Sequence, residues 1–316
     1  MKKLISGMFL ALSASLLFTA CGEGDDVTTP KNIVQTAQAS SDLSSLVAAL
    51  SRAGLVDALN ADGPFTVFAP TNAAFSTFLS ANGFATVEDV PVPVLQQILL
   101  NHVVSGTVRA ADVPTEGYVK TLATFGTTSS NLSILAQKSV GGAVSINKDV
   151  KVVTADIFAS NGVVHIVDKV IALPSVVNHA LNNANFTTLV AALTRPGIGV
   201  DYVAILSGAG PFTVFAPTNA AFAALLTELG LTSLDQVDNA TLNAVLQYHV
   251  VNGANVLASS LTNGQVVTTF GNSTFTINLT GGAKILDAKG RTTNIIITDV
   301  QGSNGVVHAV DKVLLP

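Results

Sequence analysis

Tryptophan is absent from this 316-residue chain, cysteine occurs once, and charged residues make up only 11% of it. Each shortage excludes something. A lone thiol, Cys21, leaves the remainder without disulfides and without cysteine chemistry. With 15 Lys and Arg against 20 Asp and Glu, and no basic run, the chain lacks the electrostatic footprint of a nucleic-acid binder. An average globular protein carries about 25% charged residues; here Ser, Thr, Asn, Gln and Gly supply the polarity instead. There is no Gly-rich phosphate loop, no GxSxG nucleophile elbow and no Arg-Gly-Asp. The five histidines stand apart from one another, and none has a second His or Cys at metal-ligand spacing.

The longest apolar run sits at the start, and the single cysteine explains it. Lys2 and Lys3 precede an apolar stretch from Leu4 to Phe18, and Phe18-Thr19-Ala20 leads into Cys21. This pattern predicts a lipoprotein signal peptide over residues 1–20, too short and wrongly flanked for a membrane-spanning helix. Cys21 is then the lipidated first residue, and acyl chains on it supply the membrane affinity. Residues 21–31 are polar, acidic and turn-rich and read as a flexible tether. Gly22 stands where an Asp would signal retention in the inner membrane, and Glu23, Asp25 and Asp26 follow it. The expected location is the cell envelope, as an outer-membrane lipoprotein open to exposure at the cell surface.

The rest of the chain is a duplication. Gly63 to Phe75 (GPFTVFAPTNAAF) recurs letter for letter as Gly210 to Phe222. Gly63-Pro64 marks a turn, Phe65 to Ala69 a short buried strand, and Pro70 its end. Thr71 or Asn72 then caps a helix whose apolar stripe begins at Phe75, Phe78 and Leu79. Upstream, Leu43, Leu46, Val47 and Leu50 match Phe186, Leu189, Val190 and Leu193, apolar at i, i+3, i+4 and i+7. Downstream, Asn161-Gly162-Val163-Val164-His165 matches Asn304-Gly305-Val306-Val307-His308. A period this long means two complete domains, 32–174 and 175–316, meeting near Pro174-Ser175. Each copy reads helical first and strand-rich later, with alternating runs around 119–125, 132–136, 143–146, 150–157 and 163–170. The fold class is therefore α+β with largely antiparallel strands.

FTVFAPTNAAF, a helix ending in His (Gln247-Tyr248-His249-Val250), and NGVVHAVDKVLLP at the C-terminal end together resemble the three landmarks of a fasciclin-like domain. The first copy carries them at Phe65 to Phe75, Asn101-His102-Val103 and Asn161 to Pro174, so the resemblance covers nearly all of residues 32–316. It implies, for each copy, a wedge-shaped β-sandwich with helices packed around one end. It also implies extracellular adhesion or matrix binding rather than catalysis, with no cofactor.

Two candidate partner-binding segments follow from the resemblance. One is the pair at the end of the central helix, Tyr248 and His249 in the second copy, Asn101 and His102 in the first. The other is the segment before the last strand, Asp156 and Ile157, with Asp299 opposite in the second copy. The expected function is that of a non-enzymatic, lipid-anchored envelope protein binding matrix protein, polysaccharide or other cells. The alternative is a carrier of an apolar pigment or lipid, which needs an open apolar pocket larger than packing demands. Each motif histidine lies in an apolar run, so holding a backbone group is the competing reading for all four, and packing inside its own domain with the hydroxyl satisfied is the competing reading for Tyr248. His165 and Asp168 are three apart on a strand, face opposite ways and cannot form a dyad.

Overall fold

The computed structural model describes residues 30–126 and 128–316; the signal-peptide, Cys21 and tether expectations lie outside the described residues. In the first copy the helices α1 (Ile33–Gln38), α2 (Ser44–Ala53) and α3 (Val56–Asn60) come before any strand. Then follow β1 (Phe65–Pro70), α4 (Asn72–Ala81), α5 (Val92–Leu100) and β2 (Val103–Ser105). Five strands complete the domain: β3 (Glu116–Thr124), β4 (Asn131–Lys138), β5 (Val144–Ile146), β6 (Val150–Ala159) and β7 (Gly162–Val167). The second copy repeats the plan, its helices being α6 (Val176–Asn182), α7 (Thr187–Leu193), α8 (Tyr202–Leu206), α9 (Asn219–Glu228) and α10 (Asn239–Tyr248). Its strands are β8 (Phe212–Pro217), β9 (Val250–Asn252), β10 (Val266–Thr268), β11 (Thr274–Asn278), β12 (Lys284–Leu286), β13 (Thr292–Gly302) and β14 (Gly305–Val310).

Each domain is α+β and is built on one seven-stranded sheet, ordered β2-β1-β7-β6-β5-β4-β3 in the first copy. The sheet curls until its two ends lie side by side; in the second copy Phe270 N–H closes the gap onto Val250 O at 2.7 Å. The expected wedge is thus one sheet folded over, with long β6 serving both layers. Pairing is antiparallel except one strand in from an end, where β1 runs parallel to β7 and β8 parallel to β14. Strand alternation alone does not foresee that parallel pair. It comes from the chain crossing the whole domain before it returns beside β1.

The repeated FTVFAP strand is buried on both faces, and the two faces feed separate cores. Val67 and Ala69 point to the helices, into a cluster with Ile33, Leu46, Leu50, Phe75 and Leu99. Phe68 points into the curl of the sheet, against Ile134, Ile146, Val167 and Ile171. The second copy divides in the same way, with Val214 and Ala216 on the helix side and Phe215 inside the curl. Thr66, fully buried between two apolar neighbours, donates to Gly106 O at 2.7 Å and accepts from Val108 N–H at 2.8 Å. The helix after the strand starts where the sequence predicts: Thr71 Oγ1 accepts from Ala74 N–H, and Thr218 from Ala221 N–H, each at 3.2 Å. Gly63 has φ +64°, and a Cβ there would stand 2.3 Å from Asn161 O, so the turn before the strand admits no side chain.

One buried amide ties each domain's first helices to its last strand. Asn304 Oδ1 accepts from Val176 N–H at 2.9 Å, while its Nδ2 donates to Leu206 O and Gly208 O, both at 2.8 Å. Asn161 makes the equivalent bonds to Ile33, Leu59 and Ala61. Asn304→Ala strands one buried N–H and two carbonyls, and should cost about 3 kcal/mol or more. Urea unfolding checks it; a loss below about 1 kcal/mol, the level of an average substitution, would show water substituting for the amide.

The two copies meet through the outer face of β3 and β4 in the first and the face of α6 and β13 in the second. Ser133 Oγ accepts from Gln301 N–H at 3.0 Å, and Lys120 Nζ donates to Asp299 O. Asn183 donates to the Tyr118 hydroxyl at 3.0 Å, and Asn185 to Glu116 at 2.7 Å. Tyr118 also stands edge-on to the His179 ring, centroids 5.6 Å apart. The linker is fixed as well: Ser303 N–H donates to Pro174 O at 2.7 Å.

Candidate functional site

The motif histidines come in two pairs, and both pairs hold backbone. At the end of α5, His102 Nδ1 lies 2.7 Å from Ile98 O, and its Nε2 accepts from Ile171 N–H at 2.8 Å. His249, after α10, repeats this with Val245 O at 2.7 Å and Leu314 N–H at 2.9 Å. An acceptor on one nitrogen and a donor on the other require the neutral ring with its proton on Nδ1. Burial pushes both rings down to about 4, only partly opposed by the helix carbonyl each one bonds. Each therefore joins the helix end to the segment that follows the last strand, and neither is a free base.

The second pair fixes a kink. Asp156 in β6 and Asp299 in β13 both have φ +58°, inside the irregular stretches where these strands slip register against β7 and β14. Asp156 N–H donates to His165 Nδ1 at 3.2 Å, while His165 Nε2 lies 2.9 Å from Val108 O. Asp156 Oδ1 in turn accepts from Ala110 N–H at 3.0 Å. His308, Asp299, Val256 and Ala258 repeat the arrangement. The left-handed backbone that the Asp adopts is held by a His behind it and a loop N–H in front. His165 and Asp168 face opposite ways, and Asp168 accepts from Lys151 N–H at 2.7 Å instead.

The positions expected at a binding surface can now be placed. Tyr248 is fully buried inside the curl of the second sheet, edge-on to Phe275, its hydroxyl donating to Thr274 O at 2.7 Å and accepting from Ala288 N–H at 3.1 Å. Asn101 fills the same place in the first copy, donating to Ile171 O and Ala172 O and accepting from Thr121 Oγ1. With His102 and His249, these four side chains are core, so the expectation of a surface pair after the central helix is corrected. The reason is physical: the helix ends inside the fold, and the ring or amide satisfies backbone groups where the sheet nearly closes. Asp156, Ile157 and Asp299 are half-buried; the two carboxylates face loop N–H groups and Ile157 packs on the helix-side core.

What reaches solvent is the outer side of the same kinked strands. Val153 and Ile296, at equivalent positions of the two copies, are 57% and 52% exposed, with Ile297 beside the latter. Phe158 is 62% exposed, and the Arg109 guanidinium lies 5.6 Å from its ring centre. Sequence reasoning passed over these residues because their strands read as simple alternation. The usable signal was the comparison of copies, which sets Phe158 against Gln301.

The apolar hollows among the described residues are small. The apolar hollow under α6, α7 and α8 holds about 30 Å³, and its counterpart beneath α1 and α2 about 10 Å³. Those volumes suit one or two waters, not a pigment or lipid chain. Wider recesses, of about 230 and about 450 Å³, open at the surface; the first is lined by polar and apolar groups alike and the second mainly by polar ones. Among the described residues no cluster of His, Cys, Asp and Glu could hold a metal ion, and no helix is long and apolar enough to cross a membrane.

Comparison with known proteins gives consistent matches. The Fasciclin domain family matches residues 41–174 and 184–316. Protein sll1483 of Synechocystis is 43% identical over 146 residues, covering 45% of this chain and 73% of that protein. Transforming growth factor-beta-induced protein ig-h3 of Sus scrofa is 28% identical over 260 residues, 80% of this chain; the chain spans only 35% of that longer protein. The solved FAS1 domain pair of the insect cell adhesion molecule fasciclin I superposes with a TM-score of 0.55 at 18% identity, covering 87% of this chain and 97% of that one. That last likeness is one of fold.

Proposed function

Since the chain belongs to the fasciclin domain family and is non-enzymatic, we propose that it is an adhesion protein, held to the cell envelope by lipid on Cys21. Its partners on this reading are an extracellular protein, a polysaccharide or the surface of another cell. The observation that carries the reading is the contrast on the kinked strands. The four motif histidines are engaged with backbone inside the fold, while Val153 and Ile296 project outward at the same position of both copies. An exposed aliphatic residue on a strand braced from behind is a rigid contact that loses little entropy on binding. The similar insect protein is a cell adhesion molecule, which supports the same reading. Among the described residues the apolar hollows are too small to support the carrier alternative.

The test is adherence of producing cells to surfaces coated with matrix protein or polysaccharide. Wild-type cells should adhere more than cells without the protein. Val153→Ser with Ile296→Ser should weaken adherence roughly tenfold at an unchanged melting temperature, as expected for the loss of about 1.4 kcal/mol of contact. Cys21→Ser should abolish fatty-acid labelling and release the protein. Equal adherence with and without the protein sinks the adhesive role; equal labelling of wild type and Cys21→Ser sinks the anchor.

A further inference from the structure

The joint between the two copies uses two different faces, and the duplication supplies each face twice. In the first copy the outer side of β3 and β4 is covered: Ser133 and Leu135, alternate residues on that side, are completely buried. On the second copy the covered face carries His179, Asn183 and Gln301, again all buried. The equivalents of these faces are uncovered. Register matches Tyr118↔Leu135 and Lys120↔Ser133 with Val266↔Thr276 and Thr268↔Thr274, and there Val266 is 63% exposed and Thr274 is exposed too. At the other end, Gln301 corresponds to Phe158, which is 62% exposed, and His179 and Asn183 to the half-exposed Thr36 and Ser40.

We propose that the chain associates head to tail with further copies of itself, the β10–β11 face of one chain docking on the α1–β6 face of the next. The intramolecular joint is the template. A heterologous contact leaves one unused half at each end of the pair, and a second chain can repeat it at either end. Repetition of the joint seats Phe158 against Thr274, where Gln301 meets Ser133. It likewise seats Val266 over Thr36 and Ser40, where Tyr118 covers His179 and Asn183. The chemistry stays compatible: the β10–β11 positions are uncharged, so Asp42 and Asp156 on the opposing face meet no like charge. Two exposed apolar side chains are removed from water in the process. This assembly is independent of the lipid anchor and of the partner in adhesion.

Sedimentation velocity over a concentration series tests it, with every protein carrying Cys21→Ser so that neither acyl chains nor a disulfide at that position joins copies. The otherwise wild-type chain should sediment faster with concentration, through species larger than a dimer. Phe158→Glu and Val266→Glu should each remain monomeric, since each loses one half of the contact. An equimolar mixture of the two should give a dimer and nothing larger, because each variant keeps the half that the other lacks. A monomeric wild type at every concentration overturns the proposal. So does either variant assembling like wild type, or a mixture that stays monomeric. Should a glutamate variant fail to melt cooperatively, Phe158→Ser and Val266→Ser take its place.

Discussion

Tyr248→Ala should destabilise the second domain by about 4 kcal/mol, while Tyr248→Phe should cost about 1–2 kcal/mol. Alanine leaves a hollow where the ring fills the curl of the sheet against Phe275, and it unpairs Thr274 O and Ala288 N–H. Phenylalanine keeps the packing and loses only the hydroxyl. Chemical denaturation of the full chain checks both, and the first domain's transition serves as an internal reference. A Tyr248→Ala protein as stable as wild type, but deficient in partner binding, would return this residue to the surface. The converse change follows from the same geometry. Asn101→Tyr in the first copy should also destabilise, since the space there is shaped for an amide that serves Ile171 O, Ala172 O and Thr121.

Acidification should unfold the protein well before its carboxylates are neutralised. His102, His179 and His249 are held neutral by burial and pushed down to about 4, whereas an unfolded chain binds their protons near 6.5. Above pH 6.5 neither state carries these protons and the full stability is present. As pH falls from 6.5 toward 4 the unfolded state gains protons that the folded state refuses, so stability declines through that window. Each of the three should lose roughly 2 kcal/mol by pH 5 and about 3 by pH 4. His308 is depressed in the same direction by its burial. Three of these four rings lie in the second copy, so that domain should yield first. A series of urea midpoints from pH 7.5 to 4.5 measures the effect; midpoints that stay level across the series would contradict it.

Much of the fold was legible because it depends on short-range order. The Gly-Pro turn, the strand after it and the Thr cap are adjacent in sequence, and each is fixed by its own backbone chemistry. The strands around Leu132, Val150 and Val163 announce themselves by alternation, and the duplication fixes the number of domains. The histidines were readable as backbone holders, since an apolar run on either side leaves no room for a charged ring. For Tyr248 the sequence left a surface role and a core role both open. A residue at a helix end can face solvent or the interior, and only the curl of a sheet built from distant strands decides between them.

The sequence by itself determined the two-domain α+β plan, the strand-to-helix corners and the absence of catalytic or metal-binding patterns, because local periodicity and composition encode them. The tertiary structure decided the one parallel pairing in each sheet, the neutral state of the buried histidines and the kinks held at Asp156 and Asp299. It also decided which copy of each face is covered. Those outcomes depend on contacts between elements that the sequence does not itself place together, such as Asn304 with Val176 and Gln301 with Ser133. Two domains of one fold thus differ in what they expose: Phe158 is open and Gln301 shut because only one of them has a neighbour against that face.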